Sequence, residues 1–468
     1  MSSENLVTPY NSKKVWKMCL TASLGSFMLG YNIGVINSTL DVLATIFDWK
    51  DDKYILDAVM TGIMPLGAMF SAIFAGSVSS RIGRRKILMV SNLITLLGAV
   101  VTIIPFTITF GIGRFISGLS VGIYATIVPL YINETAPTEM SGKMGTLVQI
   151  QATSGISMGY ASALILPTRN YKSDPLTYWW MAMFGFQICI ALFQFLVFKC
   201  GQKLETPTWY LNKSSSESAL ESLKQVYTEE SAWEKLQKMR SSKDSELNSS
   251  YEYNPSYSDL LLCKQNTNRL MRLGYAVYFL QQFSGINAIL TFSTSIFGHL
   301  GGGTFMSRVY TLVSGVVLML PSLFVSSFVD QLGRRALLIA GCVGMSVCLL
   351  FTGFFAGPLE DWNILFPVLF ILLYILFYGT SIGPICWLYS GEILTPRAMS
   401  ICVAFSRLFF TTVVFTFPLL KELLGLSIVL WVYTGICFLA LVYFSVDMIE
   451  TKGLSKQEIQ KLLRKKGK

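Results

Sequence analysis

The sequence predicts an all-α membrane protein: 12 transmembrane helices in two six-helix bundles, with both termini cytosolic. Three observations predict it. The 468 residues are 52% hydrophobic and only 14% charged, whereas a soluble domain carries about a quarter charged residues. The apolar residues come in long unbroken runs: Ile87–Ile108, Met144–Pro167, Ala336–Pro358 and Ile364–Gly391 contain no Asp, Glu, Lys or Arg. Each is long enough to cross a hydrocarbon core, which takes about 20 helical residues. Two short phrases are also written twice, each directly after an apolar run. Ile82-Gly83-Arg84-Arg85 returns as Leu332-Gly333-Arg334-Arg335, and Tyr131-Ile132-Asn133-Glu134 returns as Tyr389-Ser390-Gly391-Glu392. Without water only helices or closed barrels satisfy the backbone, and the runs lack the strict alternation of a barrel strand.

The elements follow in order. The first span, near 15–37, comes after a polar leader and lacks a small-residue cleavage site, so it is read as retained rather than as a signal peptide. Spans near 54–79, 87–108, 109–132, 144–167 and 178–199 complete a first bundle, residues 1–199. Residues 200–269 are Ser-, Glu- and Lys-rich, with helical spacing in Ser215–Tyr227 and Glu229–Arg240. This is a cytosolic linker with short helices, too small and too poor in clustered chemistry for an enzymatic domain. Spans near 270–299, 306–329, 336–356, 364–390, 400–424 and 426–447 form the second bundle, 270–447, followed by a basic tail, 448–468.

The net charge is +10, but its distribution argues against nucleic acid. Lys13, Lys14, Lys17, Arg81, Arg84, Arg85, Lys86, Lys143, Arg334, Arg335, Arg397 and the tail all fall on one side, which the positive-inside rule places in the cytosol. The nine cysteines are scattered and form no CxxC pair, and His299 is the single histidine. Packing roles suit these cysteines better than a metal site. No metal, cofactor, nucleophile–base pair or phosphate-cradling loop is indicated, so no enzyme is expected. A two-fold repeat of membrane helices is how many secondary transporters are built, with substrate between the halves.

Gln281-Gln282-Phe283-Ser284-Gly285-Ile286-Asn287-Ala288 is the most unusual stretch inside a span. Three amides and a hydroxyl are costly there unless they face protein or water. Gly285 weakens the helix at that point. A broken helix offering neutral donors and acceptors suits a hydroxyl-rich ligand; interhelical hydrogen bonding is the competing explanation.

Several phrases, in order, carry a family resemblance: Gly30-Tyr31-Asn32-Ile33-Gly34, Gly83-Arg84-Arg85, Gly113-Arg114-Phe115, Pro129-Leu130-Tyr131 with Glu134, and Glu205-Thr206-Pro207. The amide phrase, the second Gly-Arg-Arg, Gly383-Pro384 with Trp387, and Glu450-Thr451-Lys452-Gly453 complete the set. The chain resembles the sugar porter family of the major facilitator superfamily, most of all the facilitative hexose transporters. The resemblance implies a small-molecule sugar as ligand, a lipid bilayer as surroundings and the plasma membrane as the expected location. It implies that Gln149, Gln281, Gln282 and Asn287 hold sugar hydroxyls and that Trp387 packs on the ring; Asn32 joins them as a site candidate. It also implies a cytosolic gate of Arg84, Arg85, Glu134, Glu205, Arg334, Arg335, Glu392 and Arg397, paired when the site faces out and broken when it faces in. The chain departs from the family pattern at Ser141, Thr208, Leu318-Met319, Thr291-Phe292 and Gly379.

Arg407 is foreign to the pattern, because a charge inside a span costs at least about 3 kcal/mol on insertion scales. Snorkelling toward the cytosolic end is the first explanation; a position facing the cavity, against an anionic or strongly polar substrate, is the second. Two alternatives to facilitated diffusion of a hexose stand: a proton-coupled sugar or polyol symporter, and a non-transporting sugar receptor on the same scaffold. Coupled relatives carry Asp where this chain has Asn32, opposite the position of Arg114, and an amide cannot titrate. Uptake is therefore expected to be unchanged by a protonophore; uptake driven by an imposed acid-outside gradient in vesicles would refute this.

Overall fold

The computed structural model describes residues 10–168, 171–249, 257–264, 268–359, 363–394, 396–452, 454 and 458–459. Among them the chain is helical, and the one β feature is an isolated bridge between Tyr10 and Tyr227. The first half comprises α1 (Ser12–Asn37), α2 (Leu40–Ile46), α3 (Lys53–Ile82), α4 (Arg84–Thr102), α5 (Thr107–Thr135), α6 (Ser141–Ser162) and α7 (Trp179–Leu196). Four short helices make the linker: α8 (Pro207–Asn212), α9 (Ser216–Lys224), α10 (Glu229–Ser249) and α11 (Tyr257–Leu261). The second half comprises α12 (Asn268–Phe283), α13 (Ile286–His299), α14 (Thr304–Leu332), α15 (Arg334–Phe355), α16 (Leu365–Thr380), α17 (Ile382–Ile393), α18 (Pro396–Leu424) and α19 (Leu426–Val446).

Among the described residues, ten helical segments are long and apolar enough to cross a membrane. The other two of the twelve spans differ for physical reasons. α6 carries Gln149, Gln151, Thr153, Ser154 and Ser157, which dilute its hydropathy. The seventh span is broken into α12 and α13, each too short alone. Most spans run a few residues beyond their apolar runs, because the charged turns at their ends remain helical. Two stop short: α6 ends at Ser162, and α4 stops at Thr102, where Ile103–Phe106 form a turn around Pro105, which lacks the N–H to continue a helix. α18 starts at Pro396, four residues earlier than the sequence suggests.

The break in the seventh span is set by Gly285, whose φ of +93° is left-handed. The tenth span breaks at Ser381, between α16 and α17. The two breaks support one another: the Tyr374 hydroxyl donates to the Ser284 carbonyl at 3.0 Å, and Gln281 Nε2 donates to the Gly383 carbonyl at 2.9 Å. The backbone groups released by the kinks thus find partners inside the protein, as lipid demands.

The halves meet most closely at the end away from the termini. There Asn37 donates to the Leu290 carbonyl and to Ser293, each at 2.6 Å, Ser38 bonds Thr294 at 2.8 Å, and Tyr160 donates to the Leu290 carbonyl at 2.5 Å. Arg308 of α14 donates to the carbonyls of Leu166 and Pro167. A single apolar core runs through this end, joining Tyr31, Val35, Tyr160 and Trp180 of the first half to Ile289, Phe292 and Tyr433 of the second. At the terminus-bearing end the first half has a separate core, Val15, Tyr124, Ile127, Tyr131 and Phe198, shared with linker residues Leu211, Leu220, Leu223 and Leu236. The halves are thus joined through one core at the far end, while at the end bearing the start of α1 the first half keeps a core of its own.

A methyl group added at Gly285 would sit 2.6 Å from the Tyr433 ring. Gly285→Ala is expected to cost about 1–2 kcal/mol through the left-handed backbone alone. A thermal midpoint in detergent equal to that of the native protein would refute this reading of the kink.

Candidate functional site

The amide residues of the seventh span gather at its break. Gln281 and Gln282 end α12, and Asn287 opens α13 two residues past the kink. Gln282 Nε2 donates to Ser406 Oγ of α18 at 2.9 Å, and Asn287 Nδ2 donates to Gln282 Oε1. Gln281 reaches the α16–α17 break, and its Oε1 is enclosed with no partner. Gln281 and Gln282 are buried, while Asn287 is half-buried. Trp387 of α17 packs edge-on against Tyr278 of α12, with ring centroids 5.2 Å apart, and is 37% exposed. The Arg407 guanidinium lies over the Trp387 ring, 5.9 Å from its centroid. The amides and Ser406 form one network, and Trp387, Tyr278 and Arg407 a second group joined to it through neighbouring positions on α12 and α18. A sugar offers apolar C–H faces to such a ring and hydroxyls to such amides.

Gln149 stands on the other half, exposed on α6, and makes no side-chain bond to this cluster. Asn32 is fully enclosed elsewhere. Its Oδ1 accepts from Arg114 Nη1 at 3.1 Å, its carbonyl accepts from both terminal nitrogens of Arg114, and its Nδ2 donates to Gln187 Oε1 at 2.5 Å. Arg114 also faces the Phe184 ring. Every polar atom of the Asn32 side chain is therefore taken up by protein, and Asn32 touches none of the other sugar-site candidates.

The repeated charged phrases form two matching clamps. In the first half Arg84 grips Glu134 Oε1 through Nη2 at 2.9 Å and Nε at 3.2 Å. In the second, Arg334 grips Glu392 Oε1 with the same two distances. Arg85 donates to the Phe198 carbonyl and Arg335 to the Ser445 carbonyl, tying each to the last helix of its half. Glu205 accepts from the backbone N–H of Arg85 and Lys86, capping α4; Glu450 accepts from those of Arg334 and Arg335, capping α15. The capped turns hold Gly83 and Gly333 at positive φ, where an added methyl would run into the carboxylates. Burial pushes the Glu205 carboxyl above its usual range despite those bonds. Burial lifts Glu450 less than the N–H groups of Arg335, Arg334, Lys452 and Thr451 lower it, so its carboxyl falls below the usual range. These pairs lie within one half or the other and are formed here, which differs from the resemblance's gate that breaks when the site faces in: they brace each half rather than bridge the two. The Arg397 side chain lies outside the described residues.

One difference separates the clamps. Thr206 donates to Glu134 Oε2. Its counterparts, Thr451 Oγ1 and Glu392 Oε2, are both enclosed without a partner.

Sequence reasoning missed Glu450, Ser406, Tyr278 and Gln187 as functional positions. Glu450-Thr451 echoes Glu205-Thr206, a third repeated phrase that signals the cap. Gln187 was legible as one of two amides, with Gln194, in a span that is otherwise largely apolar. At two departures from the family pattern the space is filled: Met319 Sδ accepts from Ser154 across the halves at 3.4 Å, and Gly379 abuts Pro321, which leaves no room for an acidic side chain.

A family model described as "Sugar (and other) transporter" matches residues 18–463. Among curated proteins the chain is 28% identical over 460 residues to the glucose transporter GlcP of Staphylococcus epidermidis, covering 96% of this chain and 97% of the relative. It is 28% identical over 457 residues to the probable metabolite transport protein CsbC of Bacillus subtilis, covering 95% and 94%. Among solved structures it resembles the xylose transporter XylE of E. coli in a partially occluded, inward-open conformation, with a TM-score of 0.82 at 23% identity over 95% of this chain and 100% of that chain. At that identity the likeness carries the fold.

Removing one partner of a buried ion pair strands the other charge. Glu134→Gln is expected to cost about 3 kcal/mol, and Arg84→Met combined with Glu134→Leu to recover most of it. Thermal midpoints of the single and double variants test the clamp; equal losses would refute it.

Proposed function

Because the chain belongs to the sugar (and other) transporter family of the major facilitator superfamily, we propose that it carries a monosaccharide, a hexose such as glucose, by alternating access and facilitated diffusion. The observation that carries this reading is the network of Gln281, Gln282 and Asn287 with Ser406 at the broken seventh span, with Trp387 held beside the same helix by Tyr278. The amides take the sugar hydroxyls, Trp387 takes a ring face, and Gln149 approaches from the other bundle. Neutral amides do this without the desolvation cost of buried charge.

Lys13, Lys14, Lys17 and the Gly-Arg-Arg turns favour a cytosolic placement of the terminus-bearing end. The end where the first half keeps its own core then faces the cytosol, and the joined end faces out, across the plasma membrane in this reading. The bundles, 1–199 and 270–447, rock as units while the joined end opens. The charged ends of the two clamps then approach each other and close the cytosolic side. Arg114 is held through its terminal nitrogens by an amide residue that cannot take up a proton, which favours passive transport over proton coupling.

Purified protein in liposomes is expected to show counterflow of a labelled hexose. Gln282→Ala is expected to raise the half-saturating concentration about tenfold, in line with one or two lost hydrogen bonds. Absence of counterflow with every sugar in a broad panel would overturn the assignment.

A further inference from the structure

Arg407 is the one feature that a carrier of neutral sugars does not require. α18 begins at Pro396, so Arg407 lies about 16 Å along the helix at about 1.5 Å per residue. Its head lies over Trp387, the indole that in turn packs on Tyr278, and Arg407 directly follows Ser406, the partner of Gln282. Arg407 Nε is enclosed and unpartnered. Its two terminal nitrogens are not enclosed in this way and make no ion pair or hydrogen bond among the described residues. A guanidinium is a planar, permanently charged fork that matches a carboxylate or a phosphate with two parallel hydrogen bonds. Left without a counter-charge in low dielectric, it is costly; an anion arriving with the substrate would relieve that cost.

We propose that this site takes an acidic monosaccharide, one bearing a carboxylate or a phosphate, in preference to the neutral hexose. The inference rests on the transport reading above and specifies its substrate class. The sugar ring lies against Trp387, hydroxyls meet Gln281, Gln282 and Asn287, and the anionic group meets the terminal nitrogens of Arg407. A hydrogen bond to a charged partner is about twice as strong as one between neutral groups, so the anionic group confers the preference.

The test is competition against labelled-glucose counterflow in proteoliposomes, with glucose, glucuronate and glucose 6-phosphate as competitors. At least one acid is expected to inhibit at a concentration at least about tenfold lower than glucose, and the two acids separate a carboxylate from a phosphate preference. In Arg407→Gln the ratio of acidic to neutral inhibitory concentrations is expected to collapse to about one, and Arg407→Lys to retain part of it. Glucose counterflow that neither acid inhibits better than glucose does would overturn the proposal and leave hexose transport standing. A ratio that survives Arg407→Gln would likewise overturn it. If Arg407→Gln does not fold, the native ratio and the Lys variant still decide. Failure of all three sugars to exchange would instead overturn the transport reading itself.

Discussion

Everything in this molecule depends on placing polar groups where there is no water to receive them. The seventh span breaks at Gly285, and a break in lipid releases backbone groups that need partners. The tenth span breaks beside it and supplies them, through Tyr374 to the Ser284 carbonyl and through the Gly383 carbonyl to Gln281. Only because the kinks answer one another can three amides stand together near the middle of the second half. An unbroken seventh helix would spread Gln281, Gln282 and Asn287 around its circumference and turn some of them toward lipid.

The same accounting explains the charged ends. A buried arginine is tolerable when its fork is filled, and Arg84 and Arg334 are filled in the same way by Glu134 and Glu392. Each Gly-Arg-Arg turn also receives a carboxylate on its backbone N–H groups, which suits the positive end of a helix. The halves are thereby tied internally at one end and joined to each other at the other by hydroxyl, amide and carbonyl contacts. A bundle that holds itself together can move as a body.

Much of this was legible in the sequence, and the reasons are specific. Apolar runs report helices directly, so the spans and the two-fold repeat were readable from composition and from the doubled Gly-Arg-Arg phrase. The break at Gly285 was readable because amides inside a span demand one. Partner choice was harder. Nothing in the order of residues says that the Asn32 side chain is consumed by Arg114 and Gln187, because Gln187 lies far along the chain. Likewise the depth of Arg407 depended on where α18 begins, and the charged start of that helix hid its first turn from a hydropathy reading. Glu450 was overlooked although its phrase repeats an earlier one, because a carboxylate beyond the last span reads as tail.

The missing hydroxyl bond in the second clamp makes the bundles unequal. Thr206 braces Glu134, while Thr451 and Glu392 each leave an oxygen unused. The later clamp is therefore the less fully bonded of the two. In the rocking motion proposed above, the Arg84–Glu134 pair, with Thr206 behind it, is the better braced of the two.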